Sequence, residues 1–178
     1  MAVVGEAQRA IGRDRGTFAR QRDIDEFVQT LARYENGENS PDDWRRFRLL
    51  RGTYGQRQDG VQMMRIKIPQ GIVNGPQLRA LAEVATRYSR GFSHITTRQN
   101  IQYHFVLLKD AEAAMRELAD VGMTTREACG NSVRNITSCP YVGIAHDEVF
   151  DVTPYAEAMT RYFLGHPLAG VLPRKFKI

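Results

Sequence analysis

Two runs with alternating apolar residues, Val61–Ile68 and Asn100–Leu108, flank one amphipathic stretch, Asn74–Tyr88, and a second such stretch, Asp110–Val121, follows. Alternation with period two puts every other side chain on one face of a strand. A stripe at three- and four-residue spacing puts one face of a helix inward. No other pattern constrains the chain as much, because half-buried strands and half-buried helices must cover one another. Leu78, Leu81, Ala82, Ala85 and Tyr88 form the expected inward stripe of the first helix, with Gly91 past its end. Ala111, Ala114, Met115 and Leu118 form that of the second, closed by Gly122. His94–Thr97 reads as a short strand that makes a hairpin with the second run.

The order β-α-β-β-α is that of a ferredoxin-like split βαβ unit, in an α+β fold, and it calls for a last strand near Met123–Arg126. Ahead of it, residues 1–20 are polar and rich in Arg and Gly, and read as a mobile tail or an arm over a neighbouring surface. Asp23 and Glu26 resemble a capping box, and Ile24, Phe27, Val28 and Leu31 share the face of the helix they would start. Ser40-Pro41-Asp42-Asp43 supplies an N-cap, a first-turn proline and acids at the positive helix end, for a helix carrying Trp44, Phe47 and Leu50. Glu127–Val142 has weak periodicity and reads as a ligand-binding loop. Thr153-Pro154 begins a last helix, which runs to Gly165, and Lys177-Ile178 falls inside what reads as a strand.

The 178 residues carry a formal charge of +5 and are 42% apolar, enough for a globular core and a mild preference for anions. Nucleic acid, a phosphate ligand, a polycarboxylate cofactor and a small oxyanion all fit that charge. The chain has neither an apolar run near membrane-spanning length nor a signal-peptide core, so a cytoplasmic location is expected. Cys129 and Cys139, ten apart, lack the spacing of a zinc or iron–sulfur site and are expected as thiols.

Four segments place cations and amide or imidazole donors within apolar frames: Met64-Arg65-Ile66-Lys67, Thr96 to His104, Asn131-Ser132-Val133-Arg134-Asn135 and Arg174-Lys175-Phe176-Lys177. Desolvated cations are costly unless an anion is near. Alternation puts Arg65 and Lys67 on one strand face, opposite Met64, Ile66 and Ile68, although a solvated edge strand would alternate in the same way. Gln102 and His104 share a face, with Ile101, Tyr103, Phe105 and Leu107 on the other. The aromatics thus fall on the apolar face, and the glycine-aromatic signature of an RNA-recognition sheet is absent. Neither a phosphate-binding glycine loop nor a glycosidic carboxylate pair is present.

From about Arg51 to Ile178 the chain resembles the N-terminal half of the sirohaem-dependent nitrite and sulfite reductases. The resemblance rests on Met64–Pro69, Thr97–His104, Cys129–Asn135 and Leu172–Lys177, in that order. After the N-terminal tail and helices of 1–50, which add nothing specific to it, the resemblance implies a ferredoxin-like nitrite/sulfite reductase domain (51–122) and the beginning of a sirohaem-binding domain (123–178). The activity implied is six-electron reduction of nitrite to ammonia or sulfite to sulfide, with ferredoxin as electron donor and a [4Fe-4S] cluster beside the sirohaem. Sirohaem carries eight carboxylates, and its substrates are small oxyanions, which suits Arg forks and Lys point charges. By similarity Arg65, Thr96, Arg98, Gln102, His104 and Asn135 would contact or position sirohaem. Lys67, Arg134, Lys175 and Lys177 would surround the oxyanion.

Two departures stand out. Assimilatory sulfite reductases usually carry Arg where Lys67 stands, which leaves nitrite against sulfite open. The family's four cluster cysteines, and the pseudo-repeated later half, have no counterpart in this sequence. The chain is therefore expected to be a fragment, a truncated product or one piece of a split enzyme, completed by the missing half. The second reading is a stand-alone, non-catalytic anion-binding or interaction domain with the same fold.

Overall fold

The computed structural model describes residues 16–173 and 176–178. Its elements are α1 (Gln21–Glu35), α2 (Pro41–Leu50), β1 (Thr53–Gly55), β2 (Val61–Ile66), α3 (Gly75–Tyr88), β3 (His94–Ile95), β4 (Ile101–Leu107), α4 (Ala111–Asp120) and α5 (Thr153–Phe163). The four strands form one antiparallel sheet in the order β1-β2-β4-β3, which with the helices gives the α+β fold the pattern requires.

The caps explain where two helices begin. Ser40 Oγ accepts the Asp43 N–H at 3.1 Å and opens α2. Asn74 and Gln77 exchange side-chain and backbone bonds of 2.9 and 3.1 Å and open α3. Such caps stabilise a helix by about 1 kcal/mol. The start of α1 differs from expectation. The helix begins at Gln21, and Asp23, buried inside its first turn, pairs with Arg126 instead of capping.

Apolar burial then assembles the sheet and helices. Met64 and Ile66 of β2, Tyr103 and Val106 of β4, Val84 of α3, Leu118 of α4 and Phe27 of α1 are all essentially inaccessible. The four inward positions expected of α4 are buried. In α3 the buried row is Leu81, Val84 and Ala85, while Leu78 is 58% exposed and Ala82 also faces solvent. The first turn of α3 is instead tied by Gln77 Nε2, which donates to Val121 O at 3.2 Å, so the apolar stripe starts one turn later.

β4 departs from simple alternation at a bulge. Gln62 pairs with Val106 but Met64 with Tyr103, so His104 and Phe105 together oppose Met63, and Phe105 takes φ 60°. The bulge reverses the pleat. Tyr103 and Val106 point inward, whereas Phe105 packs beside Phe92 with the Arg90 guanidinium 3.9 Å above its ring. Phe105 and Leu107 therefore do not share the inner face with Tyr103, as strict alternation would have them.

The strand expected near Met123–Arg126 reduces to a single bridge, Lys67 opposite Thr124, with Lys67 N–H to Thr124 O at 2.8 Å. β1 is an addition; Gly52 (φ 77°) precedes it, and a Cβ there would collide with the Thr125 and Arg65 carbonyls. Of the expected mobile arm, residues 1–15 lie outside the described residues. The next residues are seated: Phe18 is buried, its N–H bonds Gly122 O at 2.9 Å, and Arg161 lies over its ring. Lys177–Ile178 is not a strand; the Phe176 carbonyl accepts from Arg134 N–H and the Ile178 carbonyl from Thr137 N–H, with no ladder between them. Among the described residues, no helix is long and apolar enough to cross a membrane.

Candidate functional site

β2 and β4 run side by side with Arg65 opposite Gln102. With its amide oxygen facing Arg65, Gln102 accepts from Nε at 2.9 Å and from Nη2. Farther along β4, His104 Nε2 lies 3.0 Å from His94 Nδ1 of β3, with ring centroids 4.8 Å apart. Burial, and then the neighbouring His94 and Arg65, hold the His104 pKa below its ordinary value.

Lys67 follows β2 and is only 3% exposed, so it is not on a solvated strand face. Its Nζ donates to Val133 O at 3.1 Å. Burial lowers its pKa to about 8; Arg134 and Arg126 push the same way, and Glu127 opposes them.

The loop that covers Lys67 is fastened by polar side chains. Asn135 is buried; its Oδ1 accepts Ile68 N–H at 3.0 Å, and its Nδ2 donates to Ile68 O at 2.6 Å and Arg98 O at 2.9 Å. The Asn135 amide, expected to face a cofactor, is thus taken up by backbone and acts as a staple. Arg98 reaches the same segment, donating to Asn135 O, to Thr137 Oγ1 at 3.2 Å and to Ile178 O at 2.7 Å. Its Nε is buried without a hydrogen-bond partner. Thr96 Oγ1 accepts Arg98 N–H at 3.1 Å and bonds Asn100 Oδ1, which shapes the turn between β3 and β4. Arg134 donates to Gly130 O at 3.2 Å.

Arg134 sits in the joint field of Arg65 and Arg98. Burial first, then those two cations, lower its pKa, with Cys129 opposing. Among the described residues, no Asp or Glu side chain lies within ion-pair distance of Arg65, Lys67, Arg98 or Arg134. Their partners are carbonyls, a hydroxyl and an amide, which orient a cation without neutralising it. Such an arrangement stabilises an anion that enters from outside.

Arg65, Lys67, Arg98, Gln102, His104, Arg134 and Asn135 thus belong to one neighbourhood built from β2, β4, the 96–100 turn and the 131–137 segment. Lys177 is exposed, and the Phe176 carbonyl beside it is bonded to Arg134 N–H. Lys175, together with Arg174, lies outside the described residues. Sequence reasoning missed Gln70, Gln99 and Ser138, whose side chains and backbone interlock at the end of the same segment. The only signal for them is an amide side chain at each of two turns, Pro69-Gln70-Gly71 and Arg98-Gln99-Asn100. A cavity of about 700 Å³ borders Ile136–Ser138 and is otherwise lined mainly by apolar groups such as Val142, Phe150, Tyr155 and Met159. Its lining lacks the clustered cations.

Residues 54–121 match the nitrite/sulfite reductase ferredoxin-like half domain, and residues 129–178 match the nitrite and sulphite reductase 4Fe-4S domain. The chain belongs to the nitrite and sulfite reductase family. It is 37% identical over 115 residues to a sulfite reductase [ferredoxin] of Mycobacterium tuberculosis, which spans 65% of this chain and 21% of that protein. It is 39% identical over 124 residues to a ferredoxin–nitrite reductase of Leptolyngbya laminosa, 67% of this chain and 24% of that one. The solved structure of the Mycobacterium tuberculosis NirA protein superposes with a TM-score of 0.73 at 32% identity, covering 79% of this chain and 29% of NirA. The family member described here therefore spans about a fifth to a quarter of the length of these curated relatives.

Proposed function

We propose that this chain supplies the N-terminal portion of an assimilatory-type reductase that carries nitrite to ammonia, or sulfite to sulfide, by six-electron reduction at sirohaem. The observation that carries this reading is the set of four buried or half-buried cations, Arg65, Lys67, Arg98 and Arg134, with no Asp or Glu side chain in ion-pair reach among the described residues. A tetrapyrrole with many carboxylates and a small oxyanion answer that excess charge, and the orphaned Arg98 Nε fits the same chemistry. The organisation proposed is tail and helices at 1–50, a ferredoxin-like domain at 51–122 and the start of a sirohaem-binding domain at 123–178.

Sirohaem, with a [4Fe-4S] cluster, would supply the redox-active iron and the electrons. Arg65, Thr96, Arg98, Gln102 and His104 hold or position it, and Asn135 keeps the loop in place. Lys67, Arg134, Lys175 and Lys177 hold the oxyanion. Lys67 Nζ, titrating at about 8, can also give and regain a proton near neutral pH as N–O or S–O bonds break. Preorganised cations where negative charge accumulates lower the barrier without reorganisation during the reaction. Two cysteines cannot supply the cluster's four thiolates, so those ligands belong to the rest of the enzyme. Ferredoxin is the proposed electron donor and the cytoplasm the proposed location.

The cysteine count also favours a second reading for the chain by itself, an anion-binding domain without redox activity. Assays of the assembled enzyme separate the two. Arg134→Ala should abolish reduction of nitrite and of sulfite while the haem absorption bands persist. Unchanged turnover would remove Arg134 from the site.

A further inference from the structure

Two glutamines do work that the cationic residues leave unexplained. Gln99, in the turn between β3 and β4, has φ 54°, and Gln70, just after β2, has φ 59°. A non-glycine residue in this left-handed region costs about 1–2 kcal/mol, so surrounding contacts must impose it. Both side chains converge on Ser138. Gln99 Nε2 donates to Ser138 O at 2.7 Å, and Gln99 Oε1 accepts Ser138 N–H at 3.1 Å. Gln70 Nε2 donates to Ser138 Oγ at 3.3 Å, and Gln70 N–H bonds Ile136 O at 2.8 Å. The Gln99 amide thus pairs with one residue's N–H and C=O as a neighbouring strand would, for a segment that has no ladder of its own. The two turns also touch: a Cβ on Gly71 would meet Gln99 Cβ at 3.0 Å.

The sequence neighbour of Gln99 is Arg98, whose guanidinium grips Asn135 O and Thr137 Oγ1. Asn135 staples the start of the same segment and Gln99 its end. One turn therefore both carries a cation of the site and sets the frame that carries the next, Arg134.

We propose that Gln99, supported by Gln70, is a positioning residue: through Ser138 it sets the 134–138 segment so that Arg134 stands at a fixed place relative to Arg98 and Lys67. The inference rests on the anion-holding reading of the site. Its role is to keep like charges close together in the absence of the anion, a geometry that a free loop would relax.

The test uses the full chain and uroporphyrin, an octacarboxylate tetrapyrrole, as probe. Gln99→Gly accepts the left-handed backbone without strain and removes the whole side chain, the amide with it. Gln99→Asn also tolerates that backbone but is one methylene too short to reach both Ser138 groups. In both variants, amide hydrogen exchange at Thr137 and Ser138 should speed up, and uroporphyrin affinity should fall about tenfold, the loss expected for two hydrogen bonds. The thermal midpoint should move by no more than a few degrees. Ser138→Ala, which loses only the Gln70 contact, should change affinity by less than about threefold. Equal affinity in wild type and the Gln99 variants, or a loss that merely tracks global unfolding, overturns the positioning role. If the wild type takes up no uroporphyrin, the anion-holding reading fails, and this inference with it.

Discussion

Arg126 bonds Asp23 and Glu127, Arg51 bonds Glu26, and Arg116 bonds Asp25 and Glu112. Each of these arginines ties one element to another through a carboxylate. On the loop side of β2 and β4, Lys67 bonds Val133 O, Arg134 bonds Gly130 O, and Arg98 bonds Asn135 O. The first group is architecture: each charge is cancelled by a carboxylate, in a buried pair for Arg126 and at the surface for Arg116. The second is oriented by dipoles and left charged, at a cost in stability that packing elsewhere has to offset. Residues that lower stability yet are held in a defined geometry mark where a protein meets its ligand.

Substitutions that treat the two groups alike should therefore have opposite results. The largest effect is expected from Arg126→Met, which strands the buried Asp23 and Glu127 carboxylates. Urea denaturation should show a loss of about 3–5 kcal/mol. Asn135→Ala comes next. It leaves the buried Ile68 N–H unpaired and loosens the loop, for a loss of about 2–3 kcal/mol, with fast hydrogen exchange confined to 131–138.

Lys67→Met should go the other way and raise stability at pH 7 by about 1–3 kcal/mol, since it removes a buried cation with no acid in ion-pair contact. The sign follows from linkage. The Lys67 pKa of about 8 in the folded chain lies below its ordinary 10.5, so folding disfavours the charged form. That penalty is full below about pH 8 and is relieved as pH rises towards 10.5, so the advantage of Lys67→Met should shrink across that interval. Arg87→Ala should matter least. Its pairs with Glu83 and Glu117 lie at the surface, and the change should stay within about 1 kcal/mol.

Much of the ferredoxin-like half was legible because local pattern and global packing agree there. Ala111, Ala114, Met115 and Leu118 repeat at helical spacing and are buried together, and Asn74 and Ser40 cap the helices they precede. Three-residue β1 carries no period to detect, and the bulge at Phe105 depends on pairing with Gln62 and Met64 some forty residues earlier. Asp23 looks like a cap because its partner, Arg126, lies 103 residues away. The candidate site shows the same limit. Its cations were visible as residue types, but the Lys67 contact with Val133 spans 66 positions. The segment from Glu127 to Ser138 has weak apolar periodicity; Ala128, Val133 and Ile136 are buried outside any regular element, and side-chain amides fasten its end. Gln70 and Gln99 therefore passed for ordinary turn residues.

Calorimetric titration of the chain with uroporphyrin at low and high salt, in wild type and Arg98→Gln, tests the gathering of uncompensated cations most directly. One saturable site is predicted, weakened by salt and at least about tenfold weaker in Arg98→Gln. Non-saturating uptake that is the same in both proteins would contradict a built anion site.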